Sequence, residues 1–269
     1  MKKLCLLIPF LLLSNTYASE LDVGLGMATF SYPDYLGSDQ YNTLLFPYPY
    51  VEYKSDTLEI NNKGLKQELF TIGDFSLKAS LSGSLPAKSS GIREGMPKLD
   101  PSGEIGPAIF YSVYNRNNTV IDLEFPLRAV LSTDFKSIEY RGYIYEAKFR
   151  ASYETENGYI FKMSTGGVWG DTRYHHYIYG VDKEMETTSR PNYEANAGYT
   201  GYKTSFGISR TFDNILVGSF IRHYSLYKST ITDSPLKVKN SALYGGIRFS
   251  YIFNKEISNP IKEWIDTLD

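Results

Sequence analysis

The chain has 269 residues, a formal charge of −2, a single cysteine, and a high aromatic content of 24 Tyr and 15 Phe beside 22 Gly. So weak a charge excludes the electrostatic footprint of a nucleic-acid binder, and one cysteine excludes a disulfide framework or a thiolate metal cluster. The mean hydropathy of −0.30 does not exclude a membrane barrel, in which only alternate residues face lipid.

The first element is a secretory signal peptide over residues 1–18. Lys2 and Lys3 precede an apolar run from Leu4 to Leu13, and Thr16-Tyr17-Ala18 ends in a small-residue cleavage site. Ten apolar residues are too few for a membrane helix, which needs roughly 20. Cys5 lies inside this segment, so the mature chain carries no thiol, and loss of the two lysines leaves it at a formal −4.

After Ala18 the dominant pattern is alternation. Strands are predicted at 21–31, 43–53, 57–62, 65–71, 75–85, 103–114, 119–131, 139–153, 158–169, 193–212, 215–228 and 241–253. In 119–131, Ile121, Leu123, Phe125 and Leu127 share one face, and Asp122, Glu124 and Arg128 the other. Successive strand side chains point to opposite faces, so one face is apolar and one polar. Runs of about ten residues match the ~9–11 that a tilted strand needs to cross a bilayer. Aromatics such as Phe75, Tyr143, Tyr153, Tyr159, Trp169, Tyr251 and Phe253 mark the ends of the apolar faces, where interfacial girdles form. A secreted β-sandwich alternates too, but its strands are shorter.

Short links rich in Asn, Asp and Gly, near 54–56, 73–74, 115–118, 154–157 and 213–214, alternate with longer ones at 32–42, 86–102, 132–138, 170–192 and 229–240. That asymmetry predicts periplasmic turns and outside loops. Pro47 and Pro49 interrupt the second strand, and in 215–228 either face could point outward. The expected fold is all-β: a transmembrane, antiparallel up-and-down β-barrel of about 12 strands over 19–253. A periplasmic tail over 254–269 follows, with Ile261, Trp264, Ile265 and Leu268 at the spacing of a short amphipathic helix capped at Asn259-Pro260.

The polar faces predict a lumen-lining charged network of Lys78, Asp122, Glu124, Arg128, Glu146, Lys148, Arg150, Lys162 and Arg248. Opposite charges on neighbouring strands should pair, because burying them unpaired is costly. Two readings stay open, an interior filled by this network and a narrow channel lined by it. No catalytic residue, metal site or cofactor is expected. Only His175, His176 and His223 are available as bases, the first two in a predicted loop. Gly24-Leu-Gly26 lacks the third glycine of a dinucleotide loop.

Four segments, in order, resemble one family. They are "SYPDYLGSDQYNTLLFPYPYVEY", "REGMPKLDPSGEIGP", "YGVDKE" with "PNYEANAGYTGY", and "TDSPLKVKNSALYGGIRFSYIF". Together they resemble the MltA-interacting protein/OmpV family of Gram-negative outer-membrane proteins. The departure is the sixteen residues that follow Phe253. The resemblance implies a place in the cell outer membrane, with its lipids as neighbours. It further implies a scaffold or adaptor for peptidoglycan-remodelling enzymes, a periplasmic lytic transglycosylase and a murein synthase. Ile261, Trp264, Ile265 and Leu268 are then the candidate docking residues. The alternative is a narrow channel for small polar solutes, and the second alternative an outer-membrane lipid-modifying enzyme.

Overall fold

A computed structural model describes residues 20–54, 58–61 and 64–253. Residues 1–19, where a signal peptide is expected, 55–57, 62–63 and 254–269, with the four docking candidates, lie outside the described residues.

Twelve antiparallel strands follow one another around a ring. They are β1 (Glu20–Pro33), β2 (Tyr41–Lys54), β3 (Leu58–Asn61), β4 (Gly64–Ile72), β5 (Phe75–Ser84), β6 (Ser102–Arg116), β7 (Thr119–Thr133), β8 (Ile138–Glu154), β9 (Tyr159–Gly170), β10 (Gly198–Phe212), β11 (Ile215–Ser225) and β12 (Ser241–Ile252). Each pairs with its neighbours in sequence, and β1 also pairs with β12 from Gly24↔Ile252 to Ser31↔Gly245. The turns use left-handed residues where alternation predicts them: Asn117 and Asn118 have φ of 48° and 60°, and Asp213 has φ of 48°.

Outward positions are apolar and exposed: Leu25, Ile105, Ile109, Phe125, Leu127, Phe206, Ile247 and Phe249. The 215–228 ambiguity resolves with Ile221 and His223 outward and Phe220, Arg222 and Tyr224 lining the interior.

Closure is where the expectation needs correcting. Among the described residues the β2–β3 ladder consists of Tyr53↔Ile60 and Lys54↔Glu59, and β3 covers four residues. From Tyr41 to Glu52, β2 has a described partner on its β1 side alone. From Ala79 to Ser84, β5 is paired with β6 but not with β4. A closed transmembrane β-barrel is therefore not what this sheet forms: among the described residues the wall stands open between β2 and β5 over most of its height. The physical reason is visible in β2. Pro47 and Pro49 have no N–H to give a ladder, and proline in sheets is confined to edges.

Above the ring, loops 34–40, 85–101, 171–197 and 226–240 pack into a cap with its own core. Tyr35, Ala87, Met96, Leu99, Tyr179, Val181, Ile231 and Leu236 are all buried there. The predicted 170–192 loop contains a helix, α1 (Thr172–Tyr179), and the strand expected from 193 begins at Gly198. Asp171 caps α1, its Oδ1 accepting from the Tyr174 N–H at 2.8 Å. The helix fits under the rim because Gly142, at φ 110°, has no Cβ; one would lie 2.2 Å from Asp171 Oδ1.

A charged wall beneath a packed cap as the candidate functional site

Inward side chains of β6 to β10 converge on a buried ion network. Arg128 of β7 donates from Nε to Glu104 of β6 at 2.9 Å, from Nη1 to Ser80 of β5 at 3.2 Å, and from Nη2 to Glu146 of β8. Glu146 also accepts from Lys203 of β10. Lys148 reaches Glu124 at 2.9 Å and Glu146 at 3.8 Å, and Arg150 reaches Glu124 at 3.0 Å. Glu124, Arg128 and Glu146 are each about 5 % exposed or less. Carboxylates this deep need cationic partners to offset their desolvation, and Glu124 and Glu146 each have more than one.

Gly166 makes the cross-strand reach possible. It sits between Lys148 and Lys203 in the paired row. With no side chain of its own it lets Lys203 meet Glu146 across β9. A Cβ there would also lie 2.1 Å from the Ala147 carbonyl oxygen.

The network walls a cavity of about 770 Å³ under the cap. A second cavity of about 590 Å³ lies toward the short turns. Asp122, Arg150, Ser164, Phe220 and Arg222 line both, so the two meet at a neck. Arg222 sits 5.9 Å over the Phe220 ring, and its buried Nε has no hydrogen-bond partner.

Of the nine charges read from the sequence, the structure joins Glu124, Arg128, Glu146, Lys148 and Arg150 in one network. Lys78 lies 5.0 Å over the Phe110 ring, Asp122 is at the neck, and Lys162 lines the lower cavity. Arg248 is on β12, with β11 between it and Lys203. Three inward charges went unread. Glu104 and Lys203 are ordinary inward positions, but Gly103 and Gly106 blur the alternation of β6. In β10 the register shifts between Tyr199 and Gly201. Arg222 was hidden by the open facing of β11.

The cap has its own polar fastenings. Arg93 is buried and donates to the carbonyl oxygens of Ile178 at 2.8 Å and Pro97 at 3.1 Å. Arg190 donates to those of Met185, Ile92 and Glu94. Tyr35 OH donates to Leu236 O at 2.7 Å, and burial pushes this phenol up to about 12. His175 is fully buried. Its Nδ1–H donates to Asn196 O at 2.6 Å, and Nε2 accepts from the Thr200 hydroxyl at 2.8 Å. Burial lowers its pKa below the ordinary imidazole value, so the ring is held neutral. His176 pairs with Asp182 at 3.1 Å. Among the described residues no group of His, Cys, Asp and Glu is arranged to hold a metal.

Distant likenesses exist among solved structures. The NanC porin matches over 86 % of this chain and 99 % of its own, with 8 % identity and a TM-score of 0.38. The COG4313 outer membrane channel from Pseudomonas putida F1 matches over 88 % and 97 %, with 12 % identity and a TM-score of 0.42. Salmonella typhi OmpF matches over 87 % and 97 %, with 10 % identity and a TM-score of 0.40. No curated protein sequence matches. The model of the MltA-interacting protein MipA matches residues 25–253. That span runs from the first strand through the last, with all four loops of the cap, and the chain accordingly belongs to the MipA family and is an outer-membrane protein.

Proposed function

We propose that this protein is a narrow conduit for small polar solutes, with the buried ion network as its selecting wall. The observation that carries the reading is the neck: two cavities share Asp122, Arg150, Ser164, Phe220 and Arg222. A solute moving between them passes a guanidinium with an unused Nε donor in a cleft whose low-dielectric walls focus the field. The test is single-channel recording of the purified protein in planar bilayers. Discrete conductance steps are expected, with a reversal potential in a salt gradient that moves toward cations in Arg222→Glu. Bilayers that stay silent at high protein density contradict the reading.

A second reading has one support, the family description, which names interaction with MltA. It makes the chain a scaffold for a periplasmic murein hydrolase and synthase, docking through the short turns and the tail. Capture of such an enzyme from envelope extract, weakened by Trp264→Ala, is its expected result.

A further inference from the structure

The upper cavity does not stop at the sheet. On a paired strand only alternate side chains reach the interior, and β6 to β11 contribute to the cavity in that way. On β5 every residue from Lys78 to Ser84 lines it, the outward Ala79, Leu81 and Gly83 included. From Ala79 to Ser84, β5 has no partner on its β4 side among the described residues. Across the gap, β2 has no described partner on that edge from Tyr41 to Glu52. The cavity therefore passes around the edge of β5 to the outer face.

Both lips of the gap are apolar on the outside. Leu45, Pro47 and Pro49 stand on β2; Ala79 and Leu81 stand on β5, and Leu45 and Leu81 are 65 % and 56 % exposed. Inside, Phe30 and Tyr32 line the cavity, and Phe46 meets Phe30 edge to face at 5.9 Å. The inward faces of β1 and β2 carry no charge from Gly24 to Tyr32 or from Asn42 to Tyr50. An uncharged, aromatic surface that opens sideways at an apolar exterior suits a hydrocarbon chain, and in the outer membrane the hydrocarbon at hand is lipid. The ion network lies on the other side of the ring.

The geometry points to the β2/β5 gap being a lateral portal, through which the acyl chain of an outer-membrane lipid enters and lies against Phe30 and Tyr32. The inference is separate from ion conduction and goes beyond it.

Quenching by brominated lipid tests it. The full chain, with Trp169→Phe and Trp264→Phe to clear the background, is reconstituted in phosphatidylcholine vesicles whose acyl chains carry bromine. Single reporters are then introduced: Met27→Trp facing outward, Phe30→Trp and Phe46→Trp facing inward beside the gap, and Ile160→Trp facing inward on the far wall. The two gap reporters are expected to lose fluorescence as Met27→Trp does, while Ile160→Trp keeps its intensity. Quenching of Met27→Trp alone overturns the portal, and so does equal quenching of Ile160→Trp, which signals a loosened interior. If Phe30→Trp does not fold, Phe46→Trp decides by itself.

Discussion

The two sides of this lumen are built from the same alternating strands and have opposite physics. On β6, β7, β8 and β10 the inward Glu104, Glu124, Arg128, Glu146, Lys148 and Lys203 are mutually paired deep in the wall, and the ladders are continuous enough to hold them in register. From Gly24 to Tyr32 of β1 and from Asn42 to Tyr50 of β2 the inward positions are uncharged, and among the described residues β2 has no partner along most of one edge. The difference teaches where such a sheet can be opened. A buried ion network tolerates no slack, because a misplaced carboxylate loses its cation in a low dielectric. An aromatic face has no such demand, so the gap falls beside it.

The largest expected effect is on the charged side. Arg128→Leu leaves Glu104 and Glu146 each short of a donor, and removing one partner of a buried ion pair costs roughly 3–5 kcal/mol. The variant should unfold at markedly lower urea than the parent. Phe46→Ala, on the other side, should cost less than the ~3–5 kcal/mol of a fully buried Phe, since Phe46 is only half-buried. If the order reverses, the network is decoration and the aromatic side holds the fold.

The cap gives a smaller effect with a definite sign. Thr200→Val leaves His175 Nε2 buried without a donor, a loss of about 1–3 kcal/mol, visible as faster proteolysis of 171–197. The pH dependence follows from the lowered His175 pKa. The unfolded ring takes up its proton near pH ~6.5 and the folded ring only at lower pH. The stabilising contribution is thus complete above that value and is lost as pH falls toward the folded pKa. Cap proteolysis should accelerate below about pH 6.5 in the parent, and His175→Gln should flatten that profile.

Smallest of all should be Pro47→Ala. Where β2 has no ladder partner, restoring an N–H gains nothing, and the change should stay within about ±0.5 kcal/mol. A large effect in either direction would mean the edge is paired after all.

The sequence carried the strands and most of the charged side, because period-two alternation is local and survives in 119–131 and 143–153 without help from the fold. It did not carry the cap. Tyr35 meets Leu236 across 201 positions, and Arg190 meets Ile92 across 98; no window of sequence contains such pairs. The helix Thr172–Tyr179 was hidden for a related reason: its Asp171 cap is a single residue, and its room is made by Gly142 and Gly170 on other elements. Pro47 and Pro49 did announce an interruption, but not that β3 would be too short to cover it. Lys203 shows the limit of alternation itself, since one shifted residue at Thr200 reverses the facing of all that follows.

Backbone amide exchange measured residue by residue in the folded protein tests the open edge most directly. Along β7, Thr119–Thr133, both alternate sets of amides have ladder partners and should be protected. Along β2 from Tyr41 to Val51, the set that faces β1 should be protected and the other set should exchange rapidly. Uniform protection along β2, matching that of β7, would contradict the account and close the wall.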